Sequence, residues 1–496
     1  MALAKILGIE TEYGIAQTQG FMDPVLASTI LVNAYAAARS GKVRWDFFDE
    51  APGRDARGKA NFDAMPPMVE THLANTVLTN GARFYVDHAH PEYSSPECAS
   101  ALEAVKYDVA GELVLRRAVA AAAQMKTGDA EFVVYKNNSD GKGNSYGCHE
   151  NYLVDRALNF DAIVATVIPH FITRSVFCGA GKVGAERRSD GEDEVAFQLT
   201  QRADFFEELV GLETTVKRPL VNTRDEPHAD PRRFRRLHVI IGDANMSEVA
   251  TFLKLSTTAL VLAMAEHHAL PQIDLMPADP VQAFREISRD VSLKVPFLLE
   301  SGRLATALDV QWALYEAAVN FADREGLEML GADGSGRLCL ARWEEVLSQL
   351  ERNPEEASST VDWVAKHRLV EGFRERHGLD RTSAKLRAID LQYHDLRPEK
   401  SLATRVGLER LTTDEETRNA EIEAPQTTRA FFRGQCIARY HDEVESANWD
   451  SVVFDLGSDP LRRVPMMDPT RGTAAETLAL FEKSPTAADL LSALES

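Results

Sequence analysis

The stretch from Thr79 to Tyr93 limits what this chain can fold into more than any other. Its middle alternates: Phe84 and Val86 fall on one side of an extended strand, and Arg83, Tyr85 and Asp87 on the other, because strand side chains repeat with a period of two. Glu92 follows just past the expected strand end. A row facing a core is apolar, so a guanidinium, a phenol and carboxylates in series describe either a solvated outer face or the lining of a site. The opening strand favours the second. In Gly8-Ile9-Glu10-Thr11-Glu12-Tyr13-Gly14, Glu10 and Glu12 share a face, and carboxylates at i and i+2 repel unless a cation lies between them.

The same pattern recurs downstream. Between Ser145 and Val154, Gly147, His149 and Asn151 share one strand face, and further on Arg236 and His238 oppose Leu237 and Val239. Helical spacing marks Pro24 to Ser40, residues 101 to 126, Glu248 to Glu266, and much of Pro280 to Gly378. Alternating strands backed by helices predict an α+β fold, a curved antiparallel sheet with a polar concave face. Carboxylates, imidazoles and arginines on such a face suit Mg²⁺ with a nucleotide, since hard oxygens hold the cation and guanidinium forks hold phosphate.

Composition narrows the class. The chain has 496 residues, 44% hydrophobic and 26% charged, enough for a large core and two domains. No run of about 18 or more apolar residues occurs, so no membrane span is expected, and the short apolar start from Ala2 to Leu7 is not read as a signal peptide. The five cysteines are scattered without a CxxC pair, which fits a reducing cytoplasm and not a disulfide scaffold. A net charge of −21 argues against a nucleic-acid partner. The basic cluster Arg232 to Arg236 stands out against it, and with the arginines near 205 to 224 it is a candidate groove for an acidic partner.

Three features invite other chemistries and are set aside. Gly179 to Gly184 matches GxGxxG, but a polar loop follows it and not a helix, so the dinucleotide mechanism has no helix N-terminus to use. Cys148 lies on the opposite strand face from His149, which suits a small buried thiol better than a nucleophile. His88, His90 and His149 could suggest zinc, but the carboxylates and arginines around them favour a harder ion.

The motifs Gly8 to Gly14, Asn80 to Tyr93, Lys136-Asn137-Asn138, Tyr146 to Tyr152, Val221 to Asp230 and Arg236 to Asn245 together resemble the Pup ligase/Pup deamidase family, essentially end to end. The resemblance implies a glutamine synthetase-like fold with ATP and Mg²⁺ in the curved sheet. It implies a catalytic part over 1–426, with a mobile insertion at about 41–68, and a small C-terminal α+β domain over 427–496. The family joins the small protein modifier Pup to lysines in one branch. In the other it deamidates Pup's C-terminal glutamine and cleaves the Pup–lysine isopeptide bond of pupylated proteins, in functional link with the bacterial proteasome. The order Asp87-His88-Ala89-His90-Pro91, the polar segment around Trp45 to Gly58 and the tail Trp449 to Gly457 resemble the deamidase branch.

Carried over by position, Asp87 matches the catalytic aspartate; Glu10, Tyr85 and Glu92 match magnesium-site residues; Arg83, Ser95 and Trp449 match ATP contacts. Strand-face geometry and the glutamine synthetase likeness add Glu12, His149 and His238 to the metal set, and Arg236 and Arg433 to the nucleotide set. The expected reaction uses bound ATP, or ADP with phosphate, and Mg²⁺ without net turnover. Asp87 either activates water or attacks the amide carbonyl. An ATP-consuming Pup–protein ligase and a silent nucleotide-binding adaptor are the competing readings.

Overall fold

The computed structural model describes residues 3–20, 22–39, 43–48, 50–58, 74–125, 131–186, 195–271, 273–457 and 460–495. Its centre is a six-stranded sheet, ordered Phe234–Val239, Cys148–Asp155, Leu7–Glu12, His90–Ser94, Arg83–Asp87 and Asn75–Val77, with every neighbour antiparallel. This is the α+β arrangement that the alternating strands predict. One detail differs. The chain reverses at His88-Ala89, with His88 at φ +51°, so Glu92 lies on a second strand directly opposite Tyr85 instead of trailing the first.

The apolar side of this sheet is closed by helices. Phe84, Val86 and Tyr93 are buried in one cluster with Leu31, Val32, Val114 and Leu115. Two helices supply the last four, Pro24–Ala38, capped by Asp23, and Ala101–Gln124, capped by Ser100. The second comes so near that a Cβ at Gly111 would lie 2.5 Å from the Tyr93 ring, so that position requires glycine. Behind lies Glu248–Glu266, apolar and long enough by composition to cross a membrane, but with all residues except Glu266 buried among other helices. It is a core helix.

Charges inside the fold are paired. The Lys136 ammonium, 1% exposed, donates to Asp108 at 2.7 Å and Glu112 at 2.9 Å, and the fully buried Glu150 carboxylate holds Arg174. A buried ion without such partners would cost several kcal/mol, of order 3–5. The GxGxxG stretch follows the short helix Ser175–Cys178 and leads into the two-residue strand Lys182–Val183, so no helix opens directly from it. The Gly181 carbonyl instead accepts from the Lys366 ammonium at 2.6 Å.

Towards the C-terminus, the helix Ala430–Arg439 packs on a four-stranded sheet. Its strands run Arg462–Pro465, Ser451–Phe454, Val444–Ala447 and, parallel to the last, Arg44–Trp45. Val43, Trp45 and Val77 are thus buried with Phe431, Phe432 and Phe454. Further on, Ala56 N–H donates to the Thr223 carbonyl and Asp225 N–H to the Arg54 carbonyl, each at 2.8 Å. Glu226 accepts from Ala51 N–H. Within the expected mobile insertion at about 41–68, residues 43–48 and 50–58 therefore borrow strands and a core from elsewhere in the chain; 59–73 lie outside the described residues. Trp45→Ala is expected to cost about 3 kcal/mol in denaturant unfolding. A loss under about 0.5 kcal/mol would show that this segment is not part of the core.

Candidate active site

The register of the opening strand assembles the site. Glu10 pairs with Ser94 on one side and His149 on the other, and Glu12 faces Glu92 directly. Tyr85 faces Glu92 from the next strand, and its hydroxyl donates to the Glu92 carboxylate. Asp87 closes the row at the hairpin turn, its carboxylate 3.0 Å from His88 Nδ1 and its side chain 27% exposed. Two clusters emerge in which one donor atom per residue lies within 4.8 Å of the others: Glu12, Asp87 and Glu92, and Glu10, His149 and His238.

The electrostatics follow from this crowding. Burial pushes the Glu92 carboxyl well above the ordinary carboxylate range, and the negative charges of Asp87, Glu10 and Glu12 push it further. Burial acts the same way on Glu12, but the His90 ring at 3.3 Å, His149 and the Gly147 N–H at 2.8 Å outweigh it and hold that carboxyl down at about 2. Glu10 is likewise held well below the usual range against the effect of burial, by His149, His238 and Arg236. Burial beside Arg236 keeps the His238 imidazole neutral, far below its ordinary value. The result is a face with one proton-holding carboxyl among ionised ones.

Glu10, Tyr85, Asp87, Glu92, His149 and His238 line a cavity of about 480 Å³ together with Arg83, Arg236 and Trp449, and Glu12 lies behind it in the first cluster. The Arg83 guanidinium is sandwiched, 4.1 Å from the Trp45 ring and 3.8 Å from the Tyr85 ring, while its Nε donates to Asn75 at 3.1 Å. Trp449 packs edge-on against Trp45 at 5.2 Å. Arg236 donates to the Glu226 carbonyl at 2.8 Å and to Asn151 Oδ1 at 3.0 Å.

Two expected site residues stand apart. Ser95 lines a smaller, mostly apolar cavity beside the first, and its hydroxyl is engaged internally, accepting from Ile9 N–H at 3.0 Å and donating to the Pro96 carbonyl at 3.1 Å. Arg433 is fully buried beneath the cavity wall. It donates to the carbonyls of Gly81 and Trp449 and pairs with Glu97, so it braces Trp449 from behind.

The basic cluster dissolves into local pairs: Arg232 with Asp230, Arg233 with Asp468 and Arg235 with Asp225, leaving only Arg236 in the cavity. It forms no groove. The structure adds residues that strand periodicity does not single out: Glu50, Asn75, Arg224, Glu226 and His228 also line the cavity. Three of them come from the irregular stretch Val221 to Asp230, whose motif is long but has no period to read. The buried Nε of Arg224 has no hydrogen-bond partner among the described residues.

Residues 5–453 match the Pup-ligase protein family. The chain belongs to that family. It is 49% identical over 505 residues to the depupylase of Acidothermus cellulolyticus, covering 99% of each chain. It is 45% identical over 509 residues to the Pup deamidase/depupylase of Mycobacterium tuberculosis (H37Rv), again covering 99% of each. A Pup–protein ligase from Nocardioides is 39% identical over 407 residues, 80% of this chain and 88% of that one. Among solved structures, the Pup ligase PafA in complex with Pup superposes with a TM-score of 0.80 at 31% identity, covering 97% of this chain and 92% of that one. PafA in complex with ADP gives 0.75 at 33%, covering 84% and 92%. The glutamine synthetase-like fold of the family is the fold described above.

Because a cation bound beside Glu92 would displace its proton, apparent Mg²⁺ affinity is expected to rise with pH, the direction set by the upward shift of that carboxyl. Glu92→Gln should flatten the slope in calorimetric titrations. A wild-type affinity independent of pH would remove Glu92 from the cation's path.

Proposed function

We propose that this protein is a Pup deamidase and depupylase, an amidohydrolase that converts the C-terminal glutamine of Pup to glutamate and cleaves the Pup–lysine isopeptide bond of pupylated proteins. The observation that carries the reading is the partly exposed Asp87 carboxylate, set at the cavity's edge beside two buried carboxylates, in a chain matched end to end by relatives named for that activity. The ligase reading has less support, since the Pup–protein ligase relative matches a smaller share of this chain.

The donor set fits Mg²⁺ with ATP, or with ADP and phosphate: carboxylate oxygens suit a hard cation, and Arg83, Arg224 and Arg236 offer guanidinium groups to phosphate. Bound there, Mg²⁺ would supply the positive charge that polarises the scissile amide, with the nucleotide phosphates helping to hold it. The protein's own residues do the rest. Glu10, Glu12, Tyr85, Glu92, His149 and His238 would hold the cation, and Trp45 and Tyr85 fix Arg83 in place. Asp87 acts on the carbonyl, by activating water or by direct attack, and ATP is not consumed per turnover. We place the reaction in the cytoplasm, alongside the bacterial proteasome.

The test is incubation of the full chain with glutamine-ended Pup and ATP, followed by mass spectrometry of Pup. A gain of about one dalton marks amide-to-acid conversion. Asp87→Asn is expected to retain ATP binding and to lose deamidation and isopeptide cleavage by at least about 10²-fold. A variant keeping a tenth of the activity would take Asp87 out of the reaction, and ADP release matched to conjugate formation would establish the ligase instead.

A further inference from the structure

Amide hydrolysis needs an acid as well as a base. When the carbon–nitrogen bond breaks, the departing nitrogen has to receive a proton, because neither ammonia nor a lysine amine leaves as an anion. We infer that His88 is the general acid that protonates the leaving amine, working as a pair with Asp87. This rests on the amidohydrolase reading above.

Geometry places the imidazole for this step. His88 Nδ1 lies 3.0 Å from Asp87 Oδ2, and both residues line the cavity. The carboxylate accepts, so Nδ1 carries the hydrogen of that bond and Nε2 is the atom that holds the transferable proton. Asp87 keeps its second oxygen, Oδ1, for water or the carbonyl. The His88 side chain is 53% exposed and that of Asp87 27%, so the pair stands at the mouth. A lysine amine attached to a folded protein cannot enter a cavity of about 480 Å³ and has to depart through that mouth. The other imidazoles of the cavity are committed elsewhere. His149 and His238 stand with Glu10, and burial pushes His228 down to about 3, so it carries no charge to give.

The backbone points the same way. Asp87 pairs with His90, which makes His88-Ala89 the whole hairpin turn, and His88 takes a left-handed φ of +51° that suits glycine better. The Ser28 hydroxyl donates to the Ala89 carbonyl at 2.9 Å and ties the turn to the first helix. A strained side chain kept at the edge of a site is explained by its use there. The protons balance on either route. If water attacks, Asp87 takes its proton, His88 Nε2 gives one to the nitrogen as the bond breaks, and the Asp87 proton returns to His88 through Nδ1. If Asp87 attacks, the amine leaves with the His88 proton, and the water that cleaves the resulting anhydride restores it. Each cycle consumes one water.

The experiment compares two substrates in the full chain with ATP and Mg²⁺: glutamine-ended Pup, and Pup ending in a γ-glutamyl p-nitroanilide, whose nitrogen leaves with far less help from an acid. His88→Gly removes the imidazole and suits the left-handed turn, so thermal melting and ATP affinity should match the wild type. H88G is expected to lose at least about 10²-fold in kcat on glutamine-ended Pup and under about fivefold on the anilide. Imidazole added to the solution should restore part of the H88G rate on glutamine-ended Pup, which a purely structural role would not allow. Losses of equal size on both substrates, or no loss on either, would overturn the assignment of His88. A wild-type chain that turns over neither substrate would overturn the amidohydrolase reading itself.

Discussion

The site depends on one crowded arrangement, carboxylates facing each other across neighbouring strands. Glu12 opposite Glu92, with Asp87 and Glu10 alongside, is a pairing that a sheet does not tolerate for its own sake, because like charges directly opposed destabilise it. It persists because the other face of the same strands fixes the register. Phe84, Val86 and Tyr93 are locked into the helices behind them, and a slip by one residue would turn them to water and the acids into the core. The apolar core thereby stores the repulsion that a cation relieves. That storage shows in the Glu92 carboxyl pushed up while those of Glu10 and Glu12 are held down.

The C-terminal part is a working wall of this site. Glu97 pairs with both Arg429 and Arg433. Arg429 in turn holds the carbonyls of His228 and Met466, each at 2.7 Å, and Arg433 holds those of Gly81 and Trp449. One carboxylate thus ties the strand end, the turn before Arg83, the Val221–Asp230 stretch and the C-terminal sheet around the same cavities. Trp45, arriving from far upstream in sequence, completes the wall by stacking on Arg83 and packing on Trp449. The cavity wall and the docking of the C-terminal part thus rest on the same residues.

Much of this was legible in the sequence, and the reason is periodicity. Glu10, Glu12, Arg83, Tyr85, Asp87, His149, Arg236 and His238 lie on regular strands where a period of two states which way each side chain points, and all of them meet in the cavity or in the clusters at its edge. The helices Ala101–Gln124 and Glu248–Glu266 follow their apolar spacing in the same way. What escaped has no period. The return of Glu92 depended on a left-handed residue at His88, and Glu226 and His228 sit in irregular chain whose direction is set by Arg236 and Arg429. Composition misled at two points. Polar content suggested a loose stretch where Trp45 enters a core, and the arginine run suggested a groove where three of its members are neutralised by nearby aspartates.

The central claim is that the carboxylate face, holding Mg²⁺ and a nucleotide that survives each turnover, adds water to an amide of Pup. The most direct measurement is turnover of glutamine-ended Pup in ¹⁸O-water, with ADP quantified alongside. The account predicts one ¹⁸O in the new C-terminal carboxylate per event and far less than one ADP formed per Pup converted. One ADP per product, or a product without solvent oxygen, would contradict it.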